Sequence, residues 1–322
     1  MPPRVSVLVN NHNYGRYLAA ALQSVLDQDF PAAQTEIVVV DDASTDDSRE
    51  VLARFAPRVR AVLRERNGGQ AAAFNDGFAA AAGEILCLLD SDDWWAPTKL
   101  SRVVARFDAE PELGMVQHWC REVDADGRPF AAARYPALPP RFTQLDFLAG
   151  KAVFTGTTGL AFRAKALKRV LPVPEELRIN ADSYLYNSVL DSPIGNIPDV
   201  LAYRRVHGAN RYAGRMRDPE RLAEHRRALT VLDRELNRLL AESRLVLGDV
   251  PRRKQRSEEL LTDLFLARYA GDWGRAWGFW KESVAQYSGP RRLFKGAALL
   301  VALASPGAYT ALQNAHSGLR NG

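Results

Sequence analysis

The sequence of this 322-residue chain predicts an α/β fold, in which a mostly parallel sheet is flanked by helices and followed by a helical C-terminal region. Three observations lead to this prediction. Short apolar runs alternate with helical patterns as far as residue 109, several of these runs end in polar or acidic residues, and the pattern from about residue 219 is helical. Strands that alternate with helices indicate βαβ units and therefore a parallel sheet.

The first part of the chain supplies the parallel strands. Apolar and β-branched residues predict strands at 5–9, 37–40, 59–63 and 85–89. Helical periodicity fills the intervals between them, and Gly68 and Gly69 break the chain before an alanine-rich helix at 70–82. Each interval is long enough for one crossover helix.

In the middle of the chain, strands and helices no longer alternate regularly in the sequence pattern. We expect a helix at 97–109, strands at 114–119 and 194–203, a turn at 124–127, an irregular strand at 154–162 and a short helix that begins at Asp182. We place the boundary between a catalytic domain, 1–215, and a helical region, 216–322, where the pattern changes.

Composition limits the class of protein. An apolar fraction of 47% allows a core, and two cysteines imply no disulfide framework. The start of the chain carries no signal-peptide pattern, and no apolar run reaches the ~18–20 residues of a membrane-spanning helix. We therefore expect a cytoplasmic protein, and find no motif for nucleic acid.

Charge is divided unevenly along the chain. From Arg204 onward there are 22 Lys and Arg residues and 12 Asp and Glu residues, a net charge of +10, whereas the part before Arg204 has a net charge of −5. The basic part can meet anionic lipid, an anionic acceptor or a diphosphate.

The strand at 85–89 opens onto three carboxylates, Asp90, Asp92 and Asp93. Ligands of open α/β sheets bind past the carboxyl ends of strands, and crowded carboxylates favour a cation. Oxygen ligands suit Mg²⁺ or Mn²⁺, which also hold substrate phosphates. The alternative is that Asp90 and Asp92 begin a turn or cap the next helix.

The other strand ends are also polar. Asn10 and His12 follow the first strand, Asp42 follows the second, and Asn67 and Gln70 flank the glycine pair. These side chains can bind a base, a ribose or, at the start of the alanine-rich helix, an anion. Alternatively, His12 is an ordinary structural histidine and Asp42 is a helix cap.

Together these stretches resemble the family 2 glycosyltransferases, which have the Rossmann-like GT-A fold. The resemblance rests on residues 5–9, 23–28, 37–44, 67–78 and 88–93, in matching order and spacing. It implies a metal-dependent, inverting transfer of sugar from a nucleotide-sugar donor, with a uridine diphosphate sugar favoured, to a saccharide or lipid-linked acceptor. Cell-surface polysaccharide or glycolipid synthesis is the implied setting.

The resemblance also implies roles for single residues. His12 and Asp42 would contact the base, Asp90 the ribose or sugar, and Asp92 the metal. Asn10, Asn67 and Gln70 complete the expected donor site, although Asn10 departs from the residues usual in the family.

Further along the chain, Asp182 stands where the family has its catalytic base, and Ala181 replaces an acid that usually precedes it. The alternative is that Asp182 only caps its helix. In the segment 203–210, Arg204 or Arg205 would stabilise the diphosphate charge, and His207 would be a further metal ligand.

The tail has a tryptophan stripe at Trp273, Trp277 and Trp280, and an apolar stretch at 297–304 preceded by basic residues. The stripe indicates packing on another helix, with a sugar platform as the alternative. For the apolar stretch, a peripheral membrane contact, packing between helices and a homodimer contact all fit.

Two other classes of function compete with glycosyl transfer. A nucleotidyltransferase would need a glycine-rich, basic phosphate loop after the first strand, and residues 10–14 provide none. A non-catalytic nucleotide-sugar-binding protein would be favoured by loss of the metal carboxylates, which are all present.

Overall fold

The computed structural model describes residues 2–130, 135, 137–149, 151–208, 210, 218–243, 249–305 and 308–309, with the backbone alone for 249–255 and 291. It forms two compact units. The first comprises Met1–Ala131, Ala137–Val206 and Glu235–Leu245, and the second comprises Ala132–Pro136, His207–Arg234 and Val246–Gly322. The boundary expected near 215 falls outside the described residues and stays a prediction.

The first unit is built on a mixed, mostly parallel sheet. Its described strands are β1 Val5–Asn11, β2 Thr35–Asp41, β3 Arg60–Leu63, β4 Ile85–Asp90, β5 Trp94–Trp95, β6 Met115–Val123, β7 Arg141–Phe142, β8 Leu160–Arg163 and β9 Ile194–Arg205. Their order across the sheet is β3-β2-β1-β4-β8-β6-β9-β5, and β7 also pairs with β9. The predicted α/β class is confirmed.

Four strands form the parallel half. β1 pairs with β2 on one side and with β4 on the other, and β2 pairs with β3. The helices between and after them are α1 Gly15–Leu26, α2 Ser48–Phe55, α3 Gln70–Ala80 and α4 Lys99–Ala109. Because the strand order reverses between β1 and β4, their carboxyl ends form the switch point where such sheets bind ligands.

The other half of the sheet departs from a simple parallel pattern. β8 lies between β4 and β6 and is antiparallel to both. The irregular strand expected at 154–162 becomes a strand only from Leu160, because Thr157–Gly159 forms a 3-10 turn. This turn brings two threonines to the end of β4.

The long strand β9 runs parallel to β6 and is interrupted as its proline predicts. His118 faces Ile197 and Trp119 faces Val200, so Pro198 and Asp199 are passed over in the pairing. Proline has no N–H to donate to the ladder. The remaining helices of this part are α5 Gln144–Leu148, α6 Ala164–Leu167 and α7 Ala181–Ser188.

The second unit is helical. The last four described helices are α8 Pro219–Glu242, α9 Asp249–Tyr269, α10 Trp273–Ala285 and α11 Gly289–Ala304, and α8 counts with the first unit from Glu235 onward. Leu222, Leu264, Phe265, Leu299 and Leu303 belong to the core of this unit. Among the described residues, no helix combines the length and apolar character needed to cross a bilayer.

Candidate functional site

Polar side chains meet at the carboxyl ends of β1, β2 and β4, as the sequence predicts. Asn10 is in register with Val40 on one side and Asp90 on the other. Both polar atoms of the Asn10 side chain are buried, and neither has a hydrogen-bond partner within the described part of the chain. A buried amide left unpaired costs roughly 1–3 kcal/mol, so this position favours a ligand that supplies the missing hydrogen bonds.

His12 and Asp42 are joined to each other. Asn13 Nδ2 can only donate, and it lies 3.2 Å from His12 Nε2. The ring proton is therefore assigned to Nδ1, which donates to the backbone oxygen of Asp42 at 2.8 Å. This hydrogen bond fixes the plane of the imidazole ring beside the end of β2.

The carboxylate of Asp42 holds the glycine turn. Its two oxygens accept the backbone N–H groups of Gly68 at 2.8 Å and of Gly69 at 2.7 Å, and Arg64 Nε lies 2.9 Å from Oδ1. Asp42 is buried, so these donors satisfy a charge that burial would otherwise penalise. Its predicted contact with a base stays a prediction.

The glycine turn in turn supports the helix that carries Asp182. The N–H groups of Gln70 and Ala71 donate to the backbone oxygens of Arg178 and Leu177, at 2.9 and 3.2 Å. Gln70 Oε1 accepts the N–H of Ala181 at 2.8 Å. These two N–H groups at the start of α3 are thus used by the protein, and the anion site expected there lacks them. The donor-binding roles of Asn67 and Gln70 stay predictions.

The glycine turn comes closest to the segment 177–181 at Gly69. Its φ is +84°, and a Cβ atom there would lie 2.7 Å from the Cα of Arg178. We expect Gly69→Ala to destabilise the fold by more than the ~1–2 kcal/mol of a left-handed residue, because it also pushes 177–181 away. The urea concentration at the midpoint of unfolding should therefore fall.

Gly77→Ala is the matched control for that substitution. Gly77 lies inside α3, and a Cβ there would sit 3.4 Å from the side chain of Val40, an ordinary contact. It should be neutral or stabilise by up to ~1 kcal/mol. If both variants lost the same free energy of unfolding, the close approach of Gly69 to Arg178 would not be the cause of the destabilisation.

The three carboxylates at the end of β4 lie close together, with Asp92 and Asp93 buried and Asp90 partly buried. Burial raises the pKa of Asp90 well above its usual range, and the charges of Asp93, Asp92 and Asp182 raise it further. Burial and then the charge of Asp92 raise the pKa of Asp93 to about 8. Asp182, from a distant part of the sequence, is thus close enough to Asp90 to affect its ionisation.

Asp93 has a structural role within this group. Its carboxylate accepts the hydroxyl of Thr158 at 2.5 Å and the backbone N–H of Arg205 at 2.8 Å. Asp92 is also buried, and its backbone oxygen accepts Arg205 Nε at 3.0 Å. The loop after β4 is therefore tied to β9 through both residues.

Asp182 lies in the first turn of α7. Its carboxylate accepts the N–H of Ser183 at 2.8 Å and the hydroxyl of Thr157 at 3.1 Å. Burial, opposed by these hydrogen bonds, raises the pKa of the carboxyl group. The N-cap position itself belongs to Asn180, whose φ of 60° turns the chain into the helix.

Two threonines that the sequence analysis did not single out connect the carboxylates. Thr157 donates to Asp182, while Thr158 donates to Asp93 and its hydroxyl accepts the N–H of Asp90 at 3.2 Å. The signal available was their position between Gly156 and Gly159, but their partners are far away in the sequence.

A buried lysine supports this threonine turn. Lys99 Nζ donates to the backbone oxygen of Thr158 at 3.1 Å and lies 3.3 Å from the centre of the Trp95 ring. Burial lowers the pKa of Lys99 to about 7, against the opposing effect of the Cys87 thiol. Sequence reasoning missed this residue, because a lysine in the first turn of a helix normally indicates a solvated position.

The two arginines at the end of β9, Arg204 and Arg205, have different surroundings. Arg205 is buried between the rings of Tyr17 and Trp94, with its Cζ 4.5 and 4.7 Å from their centres. Arg204 forms an ion pair with Glu122, and its charge lowers the pKa of Asp182 and of Asp93. Of the two, Arg204 directs its charge toward the carboxylates.

Two structural findings bear on the metal that the sequence predicts at Asp92 and His207. In the part of the chain that the structure describes, no group of three or more His, Cys, Asp or Glu side chains is arranged to hold an ion. His207 belongs to the second unit, where its backbone N–H donates to Asn210 Oδ1 at 2.5 Å. The strand-end carboxylates still fit a hard cation, since they offer oxygen donors and their buried charges repel one another.

A parallel half-sheet with polar strand ends at its switch point, extended by a mixed half-sheet and joined by the helix that carries Asp182, has the architecture of the GT-A fold. The sequence pattern of Glycosyl transferase family 2 matches residues 6–171, just over half of the chain. The chain belongs to this family.

Individual relatives agree with the family and the fold. An uncharacterized glycosyltransferase of Nostoc sp. is 38% identical over 217 residues, which are 65% of this chain and 66% of that protein. The structure of TarS residues 1–349 from S. aureus with UDP-GlcNAc covers 88% of this chain and 92% of its own, with a TM-score of 0.59 and 20% identity.

A mannosyltransferase from Pyrobaculum calidifontis, solved with GDP-Man and Mn²⁺, covers 100% of this chain and 87% of its own, with a TM-score of 0.57 and 22% identity. At this level of identity the two structures establish the fold. The matches span 66% and 59% of the length of the first curated relatives, so less than two thirds of each is represented.

Proposed function

We propose that this protein is an inverting glycosyltransferase that moves a sugar from a nucleoside diphosphate to an acceptor hydroxyl. The observation that carries the proposal is the convergence of Asp182 with the strand-end carboxylates: the adjacent Thr157 and Thr158 donate to Asp182 and to Asp93, and the charge of Asp182 reaches Asp90. Family membership supports the same reaction class.

Asp182 is the proposed catalytic base. Direct displacement at the sugar C1 requires removal of the proton from the attacking hydroxyl, on the face opposite the leaving diphosphate. The raised pKa of the Asp182 carboxyl group makes its ionised form a stronger base than an ordinary aspartate. Thr157 and the N–H of Ser183 each donate to one of its oxygens and so hold the carboxylate in place, and each oxygen keeps a second lone pair for an acceptor hydroxyl.

We propose that a divalent cation, Mn²⁺ or Mg²⁺, would be held by Asp92 together with the diphosphate oxygens of the donor. The role of His207 as a further ligand stays a prediction from the sequence. The carboxylate of Asp92 offers oxygen donors of the kind that hard cations prefer, and substrate phosphates commonly complete such sites. Such an ion supplies Lewis-acid stabilisation of the leaving diphosphate. Arg204 adds positive charge on the same side.

The donor site consists of Asn10, His12, Asp42, Asn67, Gln70, Asp90 and Arg204. We favour a uridine diphosphate sugar as donor, because TarS was solved with UDP-GlcNAc. The unpaired amide of Asn10 is the position in this set that most needs a ligand. His12 presents a ring that is fixed by its hydrogen bond to the backbone oxygen of Asp42.

The acceptor is proposed to be a saccharide or a lipid-linked saccharide of a cell-surface polymer. TarS is named as a poly(ribitol-phosphate) β-N-acetylglucosaminyltransferase, and it is 26% identical to this chain over 183 residues. A cytoplasmic location is part of the proposal, and the free thiols of Cys87 and Cys120 support it.

Product analysis tests the proposal. The protein is incubated with Mn²⁺ and a panel of nucleotide sugars, chosen beforehand by the rise in melting temperature that a bound donor causes. We expect release of a nucleoside diphosphate and, by NMR of the product, inversion at C1. Release of pyrophosphate would indicate a nucleotidyltransferase, and donor binding without turnover on any acceptor would indicate a binding protein.

A further inference from the structure

Helix α11 is apolar on both of its faces. One face, with Leu299, Ala302 and Leu303, is buried in the core of the second unit. The opposite face is exposed and consists of Leu293, Ala297, Leu300, Val301 and Ala304. Leu293 is 78% exposed and Leu300 is 44% exposed. A continuous apolar stripe that faces outward marks an interaction surface.

Helix α10 adds aromatic residues beside this stripe. Trp280 Nε1 donates to the backbone oxygen of Gly296 at 3.1 Å, and the ring of Trp277 stacks on that of Trp280 at 4.5 Å. Trp273, Trp277 and Trp280 share one helix face by their spacing, so the face that borders α11 also carries Trp273, which is 59% exposed. The two helices thus present aliphatic and indole side chains together.

The charge along α11 has one sign, while the acidic residues of α10 are the N-cap Asp272 and Glu282, which pairs with Arg256. No Asp or Glu follows Glu282 in the sequence, whereas α11 begins with Arg291, Arg292 and Lys295. Arg292 is exposed, and Lys295 Nζ lies 5.5 Å from the centre of the Tyr287 ring. A partner that is apolar within and negatively charged at its surface complements this arrangement.

We propose that the α10–α11 surface, formed by Trp273, Trp277, Leu293, Leu300 and Val301 with Arg292 and Lys295 at its edge, binds the surface of an anionic lipid bilayer. Tryptophan is favoured at the boundary between water and hydrocarbon. The 16 residues of α11 are fewer than the ~20 that cross a bilayer, so the helix lies along the interface. The proposal does not depend on the glycosyl-transfer reaction.

Vesicle binding of the full chain tests it. We expect co-sedimentation with vesicles of equal parts phosphatidylcholine and phosphatidylglycerol, weaker binding to phosphatidylcholine alone, and weakening by salt. Tryptophan emission should shift to shorter wavelength on binding. The double substitution Leu300→Glu with Val301→Glu should lower the partition coefficient about 10-fold or more, because it places charge in the inserted face.

Leu63→Glu is the matched control, since Leu63 is 51% exposed on β3 of the first unit. It should leave vesicle binding unchanged, and circular dichroism should show all variants folded, as only exposed residues change. Equal binding to neutral and anionic vesicles, or equal loss from the control, would overturn the proposal. The proposal would also be overturned if the chain failed to bind vesicles and instead formed a dimer that the double substitution dissociates. That result would assign the surface to a second copy of the chain.

Discussion

Replacing Asp182 by Asn should lower the rate of sugar transfer by about 10²–10⁴-fold, the contribution of a positioned general base. Donor binding should persist, because the substitution removes only the charge on the acceptor side. The melting temperature should stay the same or rise, since burial already disfavours the Asp182 carboxylate. An amide oxygen can still accept the N–H of Ser183, and its NH₂ group can donate to the hydroxyl of Thr157 in place of the present bond. Initial rates of nucleoside diphosphate release with acceptor present measure the effect.

Asp146→Asn is the control that distinguishes a catalytic role of Asp182 from a role in stabilising the start of its helix. Asp146 also lies in the first turn of a short helix, where it completes a capping box with Thr143. The loss of its charge near the helix N-terminus should cost ~0.3–1 kcal/mol of stability and leave the transfer rate unchanged. If Asp182→Asn behaved in the same way, with a small loss of stability and full activity, Asp182 would be a structural residue only.

Replacing Asp92 by Asn should weaken Mn²⁺-dependent donor binding on the order of 10²-fold. Loss of even an outer-shell partner of a metal site costs 10–100-fold, and Asp92 is proposed to contact the ion itself. With the metal chelated, wild type and variant should bind donor equally weakly. Calorimetric titration of a uridine diphosphate sugar, with and without Mn²⁺, gives both comparisons.

The control for Asp92 is Asp108→Asn. Asp108 is an exposed aspartate of α4 that pairs with Arg4. It carries the same charge but lies away from the strand ends, so donor binding should be unaffected. A loss of affinity that is the same with and without Mn²⁺ in the Asp92 variant would argue against its role as a metal ligand.

Much of the parallel half of the sheet follows from local sequence. Each of the runs at 5–9, 37–40 and 85–89 became a strand that ends in polar residues. Because parallel strands end at one edge, the grouping of Asn10, Asp42 and Asp90 could be inferred without coordinates. Asp182 was found only through the family resemblance.

The parts that sequence reasoning missed depend on contacts between distant segments. The role of Thr158 depends on its hydrogen bonds with Asp93, Lys99 and the N–H of Asp90, none of which is near it in sequence. The buried lysine is a case where tertiary packing overrides the surface preference of a residue type. The two-residue strands β5 and β7 are too short to give any periodic signal.

The most direct test of the central idea is a crystal structure of the protein with Mn²⁺ and an unreactive uridine diphosphate sugar, using the anomalous signal to locate the ion. The account predicts an ion at bonding distance from the Asp92 carboxylate and the diphosphate, with the sugar C1 turned toward Asp182. An ion bound elsewhere, or a sugar that faces away from Asp182, would contradict it.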